Sequence, residues 1–153
     1  FGLEVTPSRG LSYVTDAHVS GQHAVRISLN LAARSLAGFG SPWADVLQGD
    51  GGQQLFAVQL RVAASGVQVR LSARRVLFDI PSAPVTLTPG THRLELLWRP
   101  AAEGATLTLD GRPIGSVDHL PARTLARVRI GALTSLAWRS GTLAFDDYES
   151  TQP

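Results

Sequence analysis

The sequence predicts an all-β protein folded as a two-sheet antiparallel sandwich. Apolar residues recur at every second position in short runs along almost the whole chain, the period of a strand with one face on a core. The runs number about ten, at fairly regular spacing, with glycine and proline between them. In the clearest runs one face is apolar and the other polar, as expected of antiparallel sheets that bury a single side.

Taken in order, Leu3 to Thr6, Leu11 to Val14 and Ala24 to Leu31 open the set of strands. Leu31 to Ala37 has some helical flavour, though its small residues suit a short loop turn equally well. Gly49-Asp50-Gly51-Gly52 resembles a phosphate loop only superficially, because no lysine follows and no helix pattern begins. It reads as the tight connection into the next strand, Leu55 to Val62. There Phe56, Val58, Leu60 and Val62 share one face and Gln59 and Arg61 the other. Ala63-Ala64-Ser65-Gly66 then suits a hairpin into Val67 to Arg74, where Val67, Val69, Leu71 and Ala73 alternate with Gln68, Arg70, Ser72 and Arg74. Pro89-Gly90 marks a turn before His92 to Trp98, in which Leu94, Leu96 and Trp98 oppose Arg93 and Glu95. Ala105 to Leu109 runs into Asp110-Gly111, a strong hairpin signal, and Pro113 to Val117 returns. Val128 to Ile130 and Leu143 to Phe145 complete the strands.

At 153 residues, 44% apolar and 17% charged, the chain reads as one folded domain over residues 1–153. The net charge is only +2, and all 14 basic residues are arginines scattered among acids rather than gathered in a stripe. Nucleic acid is therefore not an expected partner. There is no cysteine, which removes disulfides, thiolate metal sites and cysteine nucleophiles. No apolar run approaches the roughly 18–20 residues of a membrane span. The start at Phe1, without a methionine or a signal-peptide pattern, reads as a mature or excised piece of a longer product.

Several short segments in order carry a family resemblance: Gly2-Leu-Glu-Val5, Tyr13-Val-Thr-Asp16, Ser20-Gly21, Thr91-His-Arg-Leu-Glu-Leu-Leu-Trp98, Ala105-Thr-Leu-Thr-Leu-Asp-Gly111, Ile130-Gly131-Ala132 and Gly141-Thr-Leu-Ala-Phe-Asp-Asp-Tyr148. Together they resemble a LamG-like, concanavalin A-like jelly-roll domain over essentially the whole chain. The resemblance implies a two-sheet jelly roll of the kind found in sugar-binding and adhesive modules of secreted or cell-surface bacterial proteins. Some relatives are glycoside hydrolases with carboxylates arranged as Glu-x-Asp-x-(x)-Glu, a cluster that is missing here. The resemblance also places the first and last strands side by side. It brings Asp146 or Asp147 near the Ser20-Gly21 turn, where a Gly21 carbonyl would help hold a structural calcium ion.

The candidate sites divide by chemistry. Asp146 and Asp147 are neighbours, so in a regular strand they face opposite sides and cannot form the carboxyl pair of a glycosidase. Their alternative to calcium binding is a cap on loop amides and a solvated charge. The other acids, including Asp45, Asp50, Asp79 and Asp118, stand singly, mostly in expected loops. His18, His23, His92 and His119 show no paired metal spacing, although His18 and His23 flank a turn. Pyranose rings stack on exposed aromatic faces, which makes Trp43, after the turn-rich Gly38-Phe-Gly-Ser-Pro42, the first sugar-contact candidate and Trp138 the second. Trp98 belongs to the core face. For Trp43 the alternative is to fold back over the sandwich edge. Arg61, Arg70 and Arg74, with Gln59 and Gln68, share one wet face suited to carboxylate-bearing sugars, or else to ordinary solvation or a protein interface.

The expected function is a non-catalytic extracellular binding or adhesion module that contacts a glycan or surface polymer. The alternative is a structural or assembly domain that meets a protein neighbour or its own copies.

Overall fold

The computed structural model describes residues 2–6, 11–38, 42–134 and 140–153, and among these no helix occurs. The described residues form thirteen strands: β1 (Gly2–Val5), β2 (Ser12–Asp16), β3 (Val25–Ala37), β4 (Ala44–Asp50), β5 (Gln54–Ala63), β6 (Gly66–Arg74), β7 (Asp79–Pro81), β8 (Val85–Thr86), β9 (Thr91–Arg99), β10 (Gly104–Leu109), β11 (Arg112–Val117), β12 (Arg127–Ala132) and β13 (Ser140–Thr151). They form a six-stranded sheet, β1-β13-β3-β9-β10-β11, and a seven-stranded sheet, β2-β12-β4-β5-β6-β7 with β8 on β6. Every pairing is antiparallel, and the first and last strands lie side by side, Leu3 opposite Phe145. The architecture is the two-sheet antiparallel sandwich that the alternation predicts, in the jelly-roll form that the resemblance implies.

The core lies between the sheets. Ile27, Leu29, Leu31, Leu94, Leu96, Trp98, Leu107 and Phe145 come from one sheet, and Phe56, Val58, Leu60, Val69, Leu71, Val128 and Ile130 from the other, all buried. Trp98 meets Phe56 across the layer with ring centroids 5.7 Å apart and tilted by 47°. The space left among Ile27, Leu29, Val46, Val58, Leu96 and Phe145 is about 10 Å³, no more than one water.

Three expectations need correction. Leu31 to Ala37 is neither helix nor loop turn: β3 continues through it and pairs with β13 as far as Ala37 opposite Ser140. Beyond Ala32 the ladder to β9 has ended, and β3 is paired on the β13 side alone. Asp45 and Asp50 are not in loops either, since Ala44 to Asp50 form β4, a strand buried along its whole length. Register shifts between Asp45 and Leu47 and between Gly49 and Asp50 break its alternation and hide it from a period-two reading. Finally, β13 is a long strand rather than a short one, and it carries a bulge. Between Asp146 and Glu149 it spends one residue more than β3, with Asp147 at φ 49°.

Polar clamps tie the strand ends. The Asp16 carboxylate, on β2, accepts from Tyr148 Oη at 2.7 Å and Ser150 Oγ at 2.6 Å, both on β13, so the bond joins the two sheets. Burial works against the Asp16 charge, but these bonds and the His18 amide outweigh it and hold its pKa below the ordinary value. Burial, with the bond to Asp16, raises Tyr148. At the other end Asp110, with φ 50° in the β10–β11 turn, accepts the Arg93 amide at 2.8 Å and faces His92 Nδ1 at 2.6 Å. His92 Nε2 lies 2.7 Å from the Thr88 carbonyl. Both ring nitrogens thus face acceptors, the arrangement of an imidazolium.

Burial of the His92 ring opposes its charge, but the bonds to Asp110 and Thr88 prevail and its pKa stands above 6.5. The bonds from His92 and from the Arg93 amide lower Asp110 below 3.8. A raised histidine pKa stabilises fully below 6.5, and the gain is lost as pH rises through the folded value. A lowered aspartate pKa stabilises above 3.8, and that gain is lost as pH falls through its folded value. The pair therefore contributes most between these limits. Asp110→Ala is expected to lower the melting temperature in that window. It should also flatten the decline from pH 6 to pH 9 measured by calorimetry. A variant with the wild-type pH profile would remove the pair from the account.

Candidate carbohydrate-binding face

The outer side of the seven-stranded sheet carries a continuous web of polar side chains, assembled by register. On β5 and β6, Gln59 lies opposite Arg70 and Arg61 opposite Gln68. Each arginine bonds through Nε to the glutamine it faces, Arg70 to Gln59 Oε1 and Arg61 to Gln68 Oε1, both at 2.8 Å. On β12 and β4, Arg129 lies opposite Gln48 and Arg127 opposite Asp50. Arg129 Nη2 donates to Gln48 Oε1 at 2.8 Å, and Arg127 Nε to Asp50 Oδ2 at 3.0 Å. Asp45 closes the web between the two halves. Its oxygens accept from Gln48 Nε2 at 2.6 Å and Gln59 Nε2 at 2.7 Å.

Trp43, just ahead of β4, lies on this face. The Arg70 and Arg61 guanidinium carbons stand 4.1 Å and 4.5 Å from its ring centre. Two of the three expected arginines and the first of the two expected tryptophans therefore form one cluster, with both guanidiniums over the ring. Arg74 is placed otherwise, since it forks onto Asp79 with contacts of 2.7 and 3.2 Å. At the sheet edge Arg129 also lies over the Tyr13 ring, 5.4 Å from its centre. Trp138 lies outside the described residues.

The charges are unevenly matched. Asp50 takes Arg127 and Arg129, and Asp79 takes Arg74. Among the described residues Arg61 and Arg70 bond to neutral groups, two glutamines, and lie over an indole. Asp45 is the acid whose field reaches Arg70, and its oxygens are already held by amides. Burial first, and repulsion from Arg61 second, push the Arg70 pKa below its ordinary value. An anion placed against these two guanidiniums would relieve the repulsion and gain bidentate hydrogen bonds.

Asp45, Gln48, Asp50, Arg127 and Arg129 were not expected as site residues. The first three sit on the bulged strand β4 that the alternation concealed. The last two belong to a strand recognised only by the short run Val128 to Ile130. The signal that would have found them is cross-strand charge pairing once β4 is placed beside β12.

No protein-family model matches the chain, and no curated protein does. Solved structures do. The alginate lyase AlyC3 superposes with a TM-score of 0.70 over 98% of this chain and 74% of its own, at 9% identity. An alginate lyase from Alteromonas sp. 272 gives 0.63 over 92% of this chain and 78% of its own, also at 9% identity. A botulinum neurotoxin type C structure, described as dependent on two ganglioside molecules for cell entry, gives 0.69 over 99% of this chain and 39% of its own, at 7% identity. The fold is a jelly-roll sandwich. At such identities the likeness reaches no further than the fold.

These structures correct one expectation. The chain was expected not to be an enzyme, because it lacks the paired carboxylates of a glycosidase. Alginate lyases share its fold, and a lyase is a different reaction class from a two-carboxylate hydrolase. The missing carboxylate cluster therefore bears on hydrolysis alone, and the exclusion of catalysis does not stand.

The aspartates of the closing strand lie on the other sheet. The bulge removes the opposite-face geometry expected of them, and both are exposed. Asp147 Oδ2 accepts from Asn30 Nδ2 at 2.8 Å, and its amide donates to Asp146 Oδ1 at 2.9 Å. The Asp147 carbonyl accepts from Arg93 Nη1 at 3.2 Å. Gly21 is engaged elsewhere, its amide donating to the Leu125 carbonyl at 2.8 Å. His18 faces Asp16, and His23 faces Thr124. Among the described residues no group of three or more His, Asp or Glu is placed to hold a metal. The Arg93 guanidinium beside Asp147 repels a second cation there, which weighs against Asp146, Asp147 and Gly21 holding the calcium ion that the resemblance implies. Calorimetric melts in calcium and in chelator are accordingly expected to coincide; a melting temperature raised by calcium would restore the ion.

Proposed function

We propose that the chain contacts a carboxylate-bearing polysaccharide on the outer face of the seven-stranded sheet, with Arg61 and Arg70 on the Trp43 ring as the anchor. The observation that carries this reading is the pair of guanidiniums stacked on one indole with neutral hydrogen-bond partners. A carboxylate supplies the missing countercharge, and Gln59, Gln48 and Arg129 extend the polar surface for hydroxyls and further acid groups. The ligands named for similarly folded proteins support the same class. Alginate is a polymer of uronic acids, and gangliosides carry sialic acid. The order of short motifs supports a LamG-like assignment and, with it, a secreted or surface-exposed bacterial setting.

Contact with a polyuronate serves holding and lyase cleavage alike, since either requires the carboxylates to be neutralised. Titration calorimetry with alginate oligosaccharides, against uncharged glucose oligosaccharides, tests the contact. Binding is expected for the acidic sugar only, weakening with salt. Arg70→Ala should lower the affinity about ten- to a hundredfold, the worth of one charge-assisted pair. Arg70→Lys should recover part of it, since the charge remains and the fork is lost. Equal binding of the neutral sugar, or indifference to both Arg61→Ala and Arg70→Ala, would overturn the reading. The same mixtures followed by ultraviolet absorbance report cleavage, because elimination leaves a conjugated double bond in the product.

A further inference from the structure

The connection from β6 to β7 ends in three consecutive apolar residues. Val76, Leu77 and Phe78 are exposed to 64%, 76% and 72%. Nothing in the sandwich requires this, since the core closes without them. The turn is held firmly. The Arg75 amide donates to the Phe78 carbonyl at 3.0 Å. Below it Arg74 forks onto Asp79 at 2.7 and 3.2 Å, and Arg75 Nη2 bonds the Asp118 carbonyl and carboxylate at 3.1 and 3.2 Å. The result is an uncharged tip on a neck whose two arginines are each matched by an aspartate.

We infer that this tip inserts into the interfacial region of a lipid bilayer. A second copy of the chain is a poor occupant. Three side chains offer at most a few hundred Å², at about 150–250 Å² for the largest, against about 800 Å² per partner in a stable interface. All three are exposed and consecutive in one short connection, so a partner must surround them rather than lie flat against one face. A bilayer does this without a built cavity. The charge arrangement agrees with it: the tip carries no ionic group to the depth of about 5–10 Å that interfacial segments reach. The paired charges of the neck fall at the level of the headgroups. Their balance favours neither sign of lipid, so attachment rests on the apolar tip. With so few apolar groups it is reversible, and it adds to whatever hold the arginine face provides on a polysaccharide.

Flotation of the full chain with phosphatidylcholine vesicles tests this, with a Leu77→Ser, Phe78→Ser double variant as the comparison. The wild type is expected to float with the vesicles, little affected by salt, and the variant to partition about a hundredfold less. The variant should keep the wild-type melting temperature, because both side chains are exposed, and its affinity for alginate oligosaccharides. A wild type that stays with the soluble fraction, or a variant that floats equally, overturns the inference. So does a dimer in sedimentation equilibrium that the double variant dissolves, which would assign the tip to a second copy.

Discussion

The contact between Phe56 and Trp98 joins the two sheets, and it depends on a residue with no side chain. Gly49 lies opposite Phe56 in the β4–β5 ladder, and a Cβ placed there would meet the Phe56 ring at 2.2 Å. With glycine at 49 the ring drops over the β4 backbone and reaches Trp98 at 5.7 Å. That seat fixes the register of β4 against β5, and through strand alternation it decides what faces water. Gln48 and Asp50, flanking Gly49, turn outward. Gln59 and Arg61 turn outward from the Phe56, Val58, Leu60 face. A slip of one residue would carry the charges inward and the ring out. The polar web is thus a consequence of an apolar contact on the far side of the sheet.

Within that web the acids are deployed unequally, and this gives the face its chemistry. Asp50 and Asp79 neutralise the arginines at its margins. Asp45, at the centre and buried, is held by the amides of Gln48 and Gln59. Those amides turn their carbonyls towards Arg129 and Arg70. The glutamines therefore relay polarity from a central carboxylate to peripheral guanidiniums without cancelling charge. Trp43 lets Arg61 and Arg70 approach one another, because the negative face of the indole offsets part of their repulsion. A pair of cations held close by an aromatic ring, with their Nε atoms fixed on glutamine carbonyls, is the arrangement on which the proposed anion contact rests.

The sandwich was legible because its strands keep period two wherever they are regular. Both members of the β5–β6 hairpin, the β9 strand ending in Trp98, and the Asp110-Gly111 turn could be read directly. The failures fall where the period breaks or where no amphipathic pattern exists. In β4 two register shifts and a glycine at a core position erase the alternation, and three site residues vanished with it. In β3 the segment Ala32-Ala33-Arg34-Ser35 has too few large apolar residues to declare its face. Trp43 was legible as a surface aromatic, but its stacking by Arg61 and Arg70 was not. That contact requires the Trp43 ring to meet side chains of β5 and β6, which only the tertiary structure decides.

The two adjacent aspartates at the chain's end illustrate how a broken period carries structural work. In an unbroken strand the inward series beginning at Leu143 and Phe145 would continue to Asp147 and Glu149, bringing two carboxylates towards the core. The bulge inserts one residue at Asp147 and shifts the phase, so that Tyr148 and Ser150 continue the inward face instead. These are the two residues whose hydroxyls converge on Asp16. Aspartate enters the left-handed region at modest cost, and here its side chain and carbonyl are fixed by Asn30 and Arg93. A single inserted residue therefore moves two charges into solvent. In their place it delivers two hydroxyls to the carboxylate that ties the last strand to the opposite sheet.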